Sequence, residues 1–538
     1  MGYYKDLREL VSTLDERGLL HRIKRKINKD TELMPLVRWQ FRGLPEDQRK
    51  AFLFEEVVDA TGRSYAIPVL VGAFGASRAV YATGLKCSKE EIYEKLVQEP
   101  RHLIPPVLVD RSKAPVKEEI HVGKDLLKHG GLGEFPIPIS TPGYDPAPYF
   151  TAPCWVTKDP DSGIPNVGTY RVQVKSPTRT GVMNHPTAHI GIQWAKYKER
   201  GLPMPAALVV GVVPAVGVGS VTKYPYDINE FAVAGGLAGE PIELVNCETV
   251  DLEVPATAEM VFEGEIPTDE VEWEAPFGET TGYMGRMTLN GFFNIKCITH
   301  RKNPIYHAYI SQFPPSESTL LRGISAEAAI YKLLKYDCNL PTVTDVALIE
   351  SCSSWFFLVI QLKKTNPAQV WQALHVASGF EATLGKIIIA VDGDIDIRDA
   401  DAVNWAMTFR MQPHRDVQIV NGKMNMLDPS AVAPGTAYEQ AIYPPPVGTS
   451  ALLIDATMKW TYPPLSLPKR EFMENALKIW KDLGLPELKP KRPWHAYELG
   501  ESTEENRLDA ERALHGEHYK TGEERASRRV RTKDSRRF

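Results

Sequence analysis

Glu274-Ala-Pro-Phe-Gly-Glu279-Thr-Thr-Gly-Tyr283 places two carboxylates five residues apart on a segment kinked by Pro276, Gly278 and Gly282. That spacing is too irregular for one helix face, so a loop must present both acids. About a hundred residues earlier, Asn166-Val-Gly-Thr-Tyr-Arg171 offers a neutral oxygen ligand and then a permanent cation. Two neighbouring carboxylates cannot both ionise cheaply, so one pKa rises while a nearby guanidinium keeps the other charged. The result is a carboxylic acid able to donate a proton near neutral pH. A structural salt bridge among Arg171, Glu274 and Glu279 is the competing reading, and spacing alone favours it.

His189 and Glu230 lie between the two segments. With Asn166 they form an amide-oxygen, imidazole-nitrogen and carboxylate set. Such a set suits a hard or borderline divalent ion such as Mn²⁺ or Mg²⁺, not zinc held by thiolates. An ion left with open positions would hold a phosphate. Each residue also has a plainer reading. Asn166 can satisfy loop backbone groups, His189 can bond a carbonyl in the core, and Glu230 can open a helix. Other motif matches fail. Asp392-Gly-Asp394-Ile-Asp396 resembles a calcium loop but has Ile397 where glycine is required and Val403 where Glu is required. Gly217-Val-Gly-Ser220 lacks the third glycine and the later acid of a dinucleotide fold. Walker A, G-x-S-x-G and H-E-x-x-H patterns are absent from the sequence.

The elements that position these residues fall into successive textures. A chain of 538 residues exceeds one hydrophobic core and implies two to four domains. Leu7, Leu10, Val11, Leu14 and Leu19 predict an amphipathic opening helix within residues 4–20. A modest α+β domain follows, ending near a Pro-rich crossover around residues 120–145. From about 150 to 312, short β runs (Tyr170–Val174, Ala206–Val213, Gly291–Thr299, Ile305–Ile310) with little helix predict a barrel or sandwich. After about 320 the pattern is α/β: strands at Thr342–Ile349, Trp355–Lys363, Lys386–Val391 and Val417–Val420, helices at Pro367–Ser378 and Val403–Phe409. Pro468–Leu485 reads as an amphipathic helix whose apolar face needs a partner surface, hence a homo-oligomer.

Hydrophobic content of 43% with 24% charge is ordinary for a soluble globular protein, and a net charge of −5 argues against a nucleic-acid binder. Six scattered cysteines without C-x-x-C argue against a disulfide framework or zinc knuckle and for a reducing, cytoplasmic setting. The uncharged run Gly201–Thr222 is long enough to span a bilayer, but Pro203, Pro205 and Pro214 interrupt it. A buried strand followed by a Gly-rich loop is the better reading, with no membrane association. The tail splits into an acidic stretch, Glu501–Glu517, and a basic one, Tyr519–Phe538, with eight Lys/Arg against three Asp/Glu. It reads as solvated and partly disordered, or as a binder of an anionic partner.

Five ordered motifs carry a family likeness: Asn166–Arg171, Asn229–Leu237, Asp251–Ala256, Glu274–Tyr283, and Val391–Asp396 with Asn404-Trp-Ala-Met. Over roughly residues 5–485 the chain resembles the UbiD family of prenylated-flavin-dependent decarboxylases. The resemblance implies a multi-domain α+β protein. Its N-terminal α+β domain would cover 1–125, and a central split β-barrel related to flavin reductases 126–318. A C-terminal α/β oligomerisation domain would cover 319–498, with a charged, flexible tail at 499–538.

The same resemblance implies prenylated FMN, a flavin prenyltransferase to supply it, and a dimer or hexamer. Asn166, His189 and Glu230 match Mn²⁺ (or other divalent) ligands that grip the cofactor phosphate. K⁺ would take main-chain oxygens around Val167, Gly219, Ser220 and Thr222, plus the Glu230 carboxylate. Thr169, Tyr170 and Arg171 match cofactor contacts, as do His185, Pro186, Thr187, Ile190, Gly191, Ser220, Val221 and Thr222. Arg171, Glu274 and Glu279 match the catalytic triad. Arg171 would orient the substrate carboxylate, Glu279 would protonate the carbon that lost CO₂, and Glu274 would tune both. Met284, Phe313, Pro314 and the segment Pro429–Tyr443 are expected as apolar walls for an aromatic, heteroaromatic or α,β-unsaturated acid. An aryl-CoA thioester, the carboxylation direction, and a non-catalytic subunit of a carboxylase assembly are the alternatives. Retention of the full triad weighs against the last.

Overall fold

Asp6 starts helix Leu7–Glu16 by accepting from the backbone N–H groups of Arg8 and Glu9, and Leu7, Leu10, Val11 and Leu14 bury the predicted face. The computed structural model describes residues 2–98, 102–423, 427–431, 449–488 and 500–532. Strands Leu20–Ile23, Ala51–Phe54 and Val69–Val71 follow that helix, and Tyr306–Ala308 completes their four-stranded sheet by pairing parallel to Val69–Val71. A strand whose spacing grouped it with the central run thus belongs to the N-terminal sheet. It ties the end of the central segment back to the beginning of the chain.

The central sheet has ten strands. Its path runs Pro165–Gly168, Cys154–Lys158, Met204–Val210, Met260–Ile266, Thr288–His300, Arg179–Val182, Val172–Ser176 and Tyr149–Phe150. Strands Glu119–Val122 and Glu272–Glu274 also pair with Thr288–His300. That 13-residue strand is the spine of the domain. The two ends of the path are not paired with each other among the described residues, so the sheet does not close as a barrel would. A register shift at Glu263/Gly264 bends it. There a Cβ on Gly264 would lie 1.9 Å from the Asn294 carbonyl oxygen, so only glycine permits the crossing.

The expectation of little helix in this region is corrected. Helices His189–Glu199, Pro214–Val221 and Glu230–Ala238 all lie within it. In Pro214–Val221 every residue through Ser220 is buried, so no polar face exists to reveal a period of 3.6. What reads as a Gly-rich loop is a helix opened by Pro214 at its first turn. Glu230–Ala238 is capped by Asn229 and ended by Gly239 at φ 74°. The uncharged Gly201–Thr222 run therefore resolves into strand plus helix. No helix among the described residues is long and apolar enough to cross a membrane.

The C-terminal sheet runs Val343–Leu348, Phe357–Leu362, Ile387–Asp392, Thr449–Ala456, Val417–Lys423, parallel in the centre and antiparallel at both edges. Helix Ala368–Gly379 covers one face through the cluster containing Leu358, Ile360 and Ile388. Helix Ala400–Arg410 covers the other through Val359, Ile389 and Val391. Helix Glu317–Lys332, unforeseen in the sequence, joins the two regions. Its apolar pattern is broken by Glu317 and Glu327, both buried.

The described part of the tail contains two helices. Helices Glu504–Leu514 and His518–Ser527 pair through Arg525–Asp509, Arg528–Glu505 and Arg512–Glu524. The acidic and basic halves thus meet as facing helices. Such exposed pairs contribute little individually.

Candidate active site

Glu274 is the last residue of strand Glu272–Glu274, held opposite Thr288. Arg171 immediately precedes strand Val172–Ser176. These two strands bring residues about a hundred apart in sequence side by side. Arg171 donates from Nε to Glu274 Oε1 at 2.8 Å and from Nη1 to Glu279. Asn290, on Thr288–His300, donates its amide to the other oxygen of Glu274. Glu274 is almost wholly buried, and the Arg171 and Glu279 side chains are 12% and 11% exposed. Burial pushes the Glu279 pKa up against the opposing pull of Arg171.

The loop carrying Glu279 is pinned at several points. Gln173 accepts from Ala275 N at 3.0 Å, and the Tyr149 hydroxyl donates to Ala275 O at 3.0 Å. Gly285 N donates to Phe277 O at 2.7 Å and Glu279 N to Tyr283 O at 2.8 Å, closing a tight turn with Gly282 at φ 92°. Gly285 also makes room for the acid, since a Cβ there would lie 2.8 Å from Glu279 Oε1. Arg171, Glu274 and Glu279 therefore form the ion-paired cluster that spacing favours, and it opens on a cavity.

That cavity, about 530 Å³ in volume, is lined by Arg171 and Glu279 and also by Asn166, His189 and Glu230. Its size falls within the range of roughly 300–1,000 Å³ usual for small-molecule sites. His189 opens its helix, with Nδ1 3.4 Å from Glu230 Oε1. Glu230 Oε2 accepts from Val167 N at 3.1 Å. The Asn166 amide nitrogen is committed to Thr157 Oγ1 at 3.2 Å, which leaves Oδ1 as its available ligand atom.

Val167, Thr169, Tyr170, His185 and Thr187 line the same cavity, as do Ser220, Val221 and Thr222. Thr169 N donates to Ser220 O at 3.0 Å, and Thr222 N to Gly219 O at 3.2 Å. Glu274, Pro186, Ile190, Gly191 and Gly219 do not line it. Glu274 stands behind Arg171. Ile190 is fully buried, and Gly191 packs against the His185 carbonyl, 2.1 Å from where a Cβ would sit.

The expected apolar walls need correction. Met284, Phe313 and Pro314 do not line the cavity; Phe313 is half-exposed beneath the Arg42 guanidinium at 4.7 Å. Of the segment Pro429–Tyr443, residues 432–443 lie outside the described residues. The walls are instead Phe277, Tyr309, Leu321, Trp355 and Phe356. Arg322, unanticipated, also lines the cavity, fixed by Ser353 at 3.1 Å and stacked on Trp355 at 4.7 Å. Burial pulls its pKa down to about 10. Phe277 was within reach of sequence reasoning because it lies in the acid-bearing motif; the others come from elements that read as ordinary core.

Sequence models of the 3-octaprenyl-4-hydroxybenzoate carboxy-lyase family match in order: the N-terminal domain over residues 11–99, the Rift-related domain over 107–314 and the C-terminal domain over 319–456. An uncharacterized protein of Archaeoglobus fulgidus is 32% identical over 471 residues, spanning 85% of this chain and 92% of that one. The chain belongs to the UbiD family. It is accordingly a member of a family of carboxy-lyase enzymes. Among solved UbiD-class structures, HmfF of Pelotomaculum thermopropionicum, an evolved dimeric form in complex with prFMN, is 31% identical. It aligns over 86% of this chain and 97% of its own, at a TM-score of 0.73. The vanillic acid decarboxylase of Sedimentibacter hydroxybenzoicus in its closed form is 28% identical over 89% and 100%, with a TM-score of 0.75.

Proposed function

We propose that this UbiD-family protein is a reversible, non-oxidative decarboxylase of an aromatic, heteroaromatic or α,β-unsaturated carboxylic acid, using prenylated FMN. The observation that carries this reading is a buried acid–guanidinium–acid cluster opening on the same cavity as an O/N/O donor set. The residues present suit the cofactor. Asn166 Oδ1, His189 Nδ1 and Glu230 Oε1 offer oxygen and imidazole ligands to Mn²⁺ or another divalent ion. The N-terminus of helix His189–Glu199 adds a positive dipole end for a phosphate. Main-chain oxygens around Val167, Gly219, Ser220 and Thr222, with the Glu230 carboxylate, would hold K⁺. Thr169, Tyr170, His185 and Thr187 would flank the flavin.

When bound, the prenylated flavin would supply an electron sink for the pair left on the substrate carbon when CO₂ departs. The chain does the rest. Arg171 binds the substrate carboxylate and keeps it beside Glu279. Phe277, Tyr309, Leu321, Trp355 and Phe356 exclude water and hold the apolar part of the substrate. Glu279 then delivers its proton to the carbon that lost CO₂, and Glu274, anchored by Asn290, keeps the Arg171 guanidinium aimed. We further propose a homo-oligomer. Helix Arg470–Asp482 buries none of its residues within one chain, leaving Phe472, Leu477 and Ile479 exposed.

The deciding test is the absorbance spectrum and cofactor mass of protein co-produced with a flavin prenyltransferase, followed by CO₂ release from a panel of aromatic acids. A bound species one dimethylallyl unit heavier than FMN, with turnover, is expected. Failure to take up the purified cofactor on reconstitution would overturn the reading.

A further inference from the structure

His121 lies on strand Glu119–Val122 and His300 ends strand Thr288–His300, two antiparallel neighbours in which His121 sits opposite Ile298. Residues two apart on a strand share a face, so His300 and His121 are diagonal neighbours on one side of the sheet. Their Nε2 atoms are 3.0 Å apart. Glu134, ending the turn Gly131–Glu134, faces both rings: Oε1 lies 3.7 Å from His300 Nε2 and Oε2 lies 4.0 Å from His121 Nε2. Both histidines are buried and Glu134 is partly so. None of the three lines the cavity described above.

We propose that His121, His300 and Glu134 form a binding site for a borderline divalent transition ion such as Zn²⁺, distinct from the cavity. Metal–nitrogen bonds of roughly 2.0–2.1 Å at a tetrahedral angle place two ligand atoms about 3.3 Å apart. The three donor atoms all lie within 4.8 Å of one another, so a small inward movement of the carboxylate completes the set. His300 Nδ1 lies 2.8 Å from the Arg301 carbonyl. The carbonyl can only accept, so Nδ1 carries the proton and Nε2 presents its lone pair, the arrangement that orients metal-bound imidazoles. Phe135 meets His300 edge-on at 5.6 Å and fixes the ring from the core side. A His121 Nε2–H donated to His300 would explain the 3.0 Å contact. It leaves unexplained a carboxylate with one oxygen toward each ring, both beyond hydrogen-bond distance.

The ring of His129, on the exposed segment between His121 and Glu134, stands 5.1 Å from that of His121. A fourth ligand is therefore within reach of a rotamer change, and water can fill the position otherwise. The bound ion clips the 123–134 segment onto the spine of the central sheet. Imidazole and carboxylate without thiolate favour Zn²⁺, Co²⁺ or Ni²⁺ over Mg²⁺ or Ca²⁺.

The experiment compares full-length wild-type protein with Glu134→Ala, both stripped with a chelator, reloaded with Zn²⁺ and desalted. Wild type should retain one more equivalent of zinc, and the variant should bind that equivalent at least tenfold more weakly. Equal zinc content in both overturns the site. Glu134 stands on a partly exposed turn, so the variant should fold; matched circular dichroism without metal checks this, and Glu134→Gln replaces it if folding fails. As a second readout, Zn²⁺ should raise the Tm of wild type by several degrees more than that of the Glu134 variant. An equal rise in both also overturns the proposal.

Discussion

Arg171 and Glu279 form an ion pair in which neither side chain is more than 12% exposed, yet both face the cavity. Desolvation wins over the guanidinium, so the Glu279 carboxyl stays protonated to higher pH than an ordinary glutamic acid. The sign has two consequences. Turnover should fall on the alkaline side as Glu279 ionises. Folding stability from this group should also decline as pH rises past the unfolded value of 4.5. Glu279→Gln should lower kcat by about 10²–10⁴-fold, the usual worth of a positioned acid, while the flavin spectrum is unchanged. Near-normal kcat would remove Glu279 from the proton-donor role.

Gly285 owes its identity to that acid. A Cβ at position 285 would sit 2.8 Å from Glu279 Oε1, closer than real Cβ contacts, and a tight 3.2 Å from Phe277 O. Gly285→Ala should therefore displace the carboxylate and cut kcat by about tenfold or more, because small misplacements of reacting groups are costly. KM should change little. Kinetics identical to wild type would show that the turn relaxes without moving Glu279.

Glu230 tests the proposed metal site independently of the acid. It is buried, lies 3.4 Å from His189 Nδ1 and has one carboxylate oxygen on Val167 N. Glu230→Ala should yield protein depleted in the divalent ion and in flavin, read by elemental analysis and absorbance. Full retention of both would sink the ligand assignment.

The chemistry was more legible in the sequence than the pocket that surrounds it. Acid, cation and candidate metal-ligand residues are polar groups in apolar company, and Arg171, Glu279, Asn166, His189 and Glu230 all line one cavity. Asn290 escaped notice because it earns its place only through strand pairing, opposite Glu272 rather than near it in sequence. Tyr309, Leu321 and Trp355 were hidden because wall and core call for the same residue types. Helix Glu317–Lys332 was missed for a related reason. Glu317 interrupts the apolar pattern, yet it is buried, accepting from the backbone N–H groups of Gly72, Phe74, Gly75 and Ile310.

The proposed homo-oligomer rests on a helix face left exposed among the described residues. Phe472, Leu477 and Ile479 are 41%, 36% and 51% exposed on the 13-residue helix Arg470–Asp482. Apolar exposure of this kind favours association. Sedimentation should show a dimer or larger species, and Phe472→Glu with Ile479→Glu should shift it toward monomer. A monodisperse wild-type monomer would contradict the expectation.

Arg410 explains why Asp392-Gly-Asp394 looks like a cation site without being a calcium loop. Its guanidinium, 2% exposed, donates from Nη1 to Asp392 at 3.0 Å and from Nη2 to Asp394 at 2.6 Å. The cation that these carboxylates face is thus supplied by helix Ala400–Arg410 itself. Asp392 also accepts from Met458 N at 2.7 Å, joining the end of its strand to the segment after Thr449–Ala456. Arg410→Met keeps the length of the side chain but leaves Asp394 without its cation and Asp392 with Lys364 alone, 3.7 Å away, a loss of about 3–5 kcal/mol for a buried pair. Thermal unfolding should move down by roughly 2–4 °C for each kcal/mol lost. Added Ca²⁺ should not restore it, since the loop lacks the glycine and the bidentate acid that the ion requires. Recovery of Tm by Ca²⁺ in the variant would show that the aspartates can serve a metal after all.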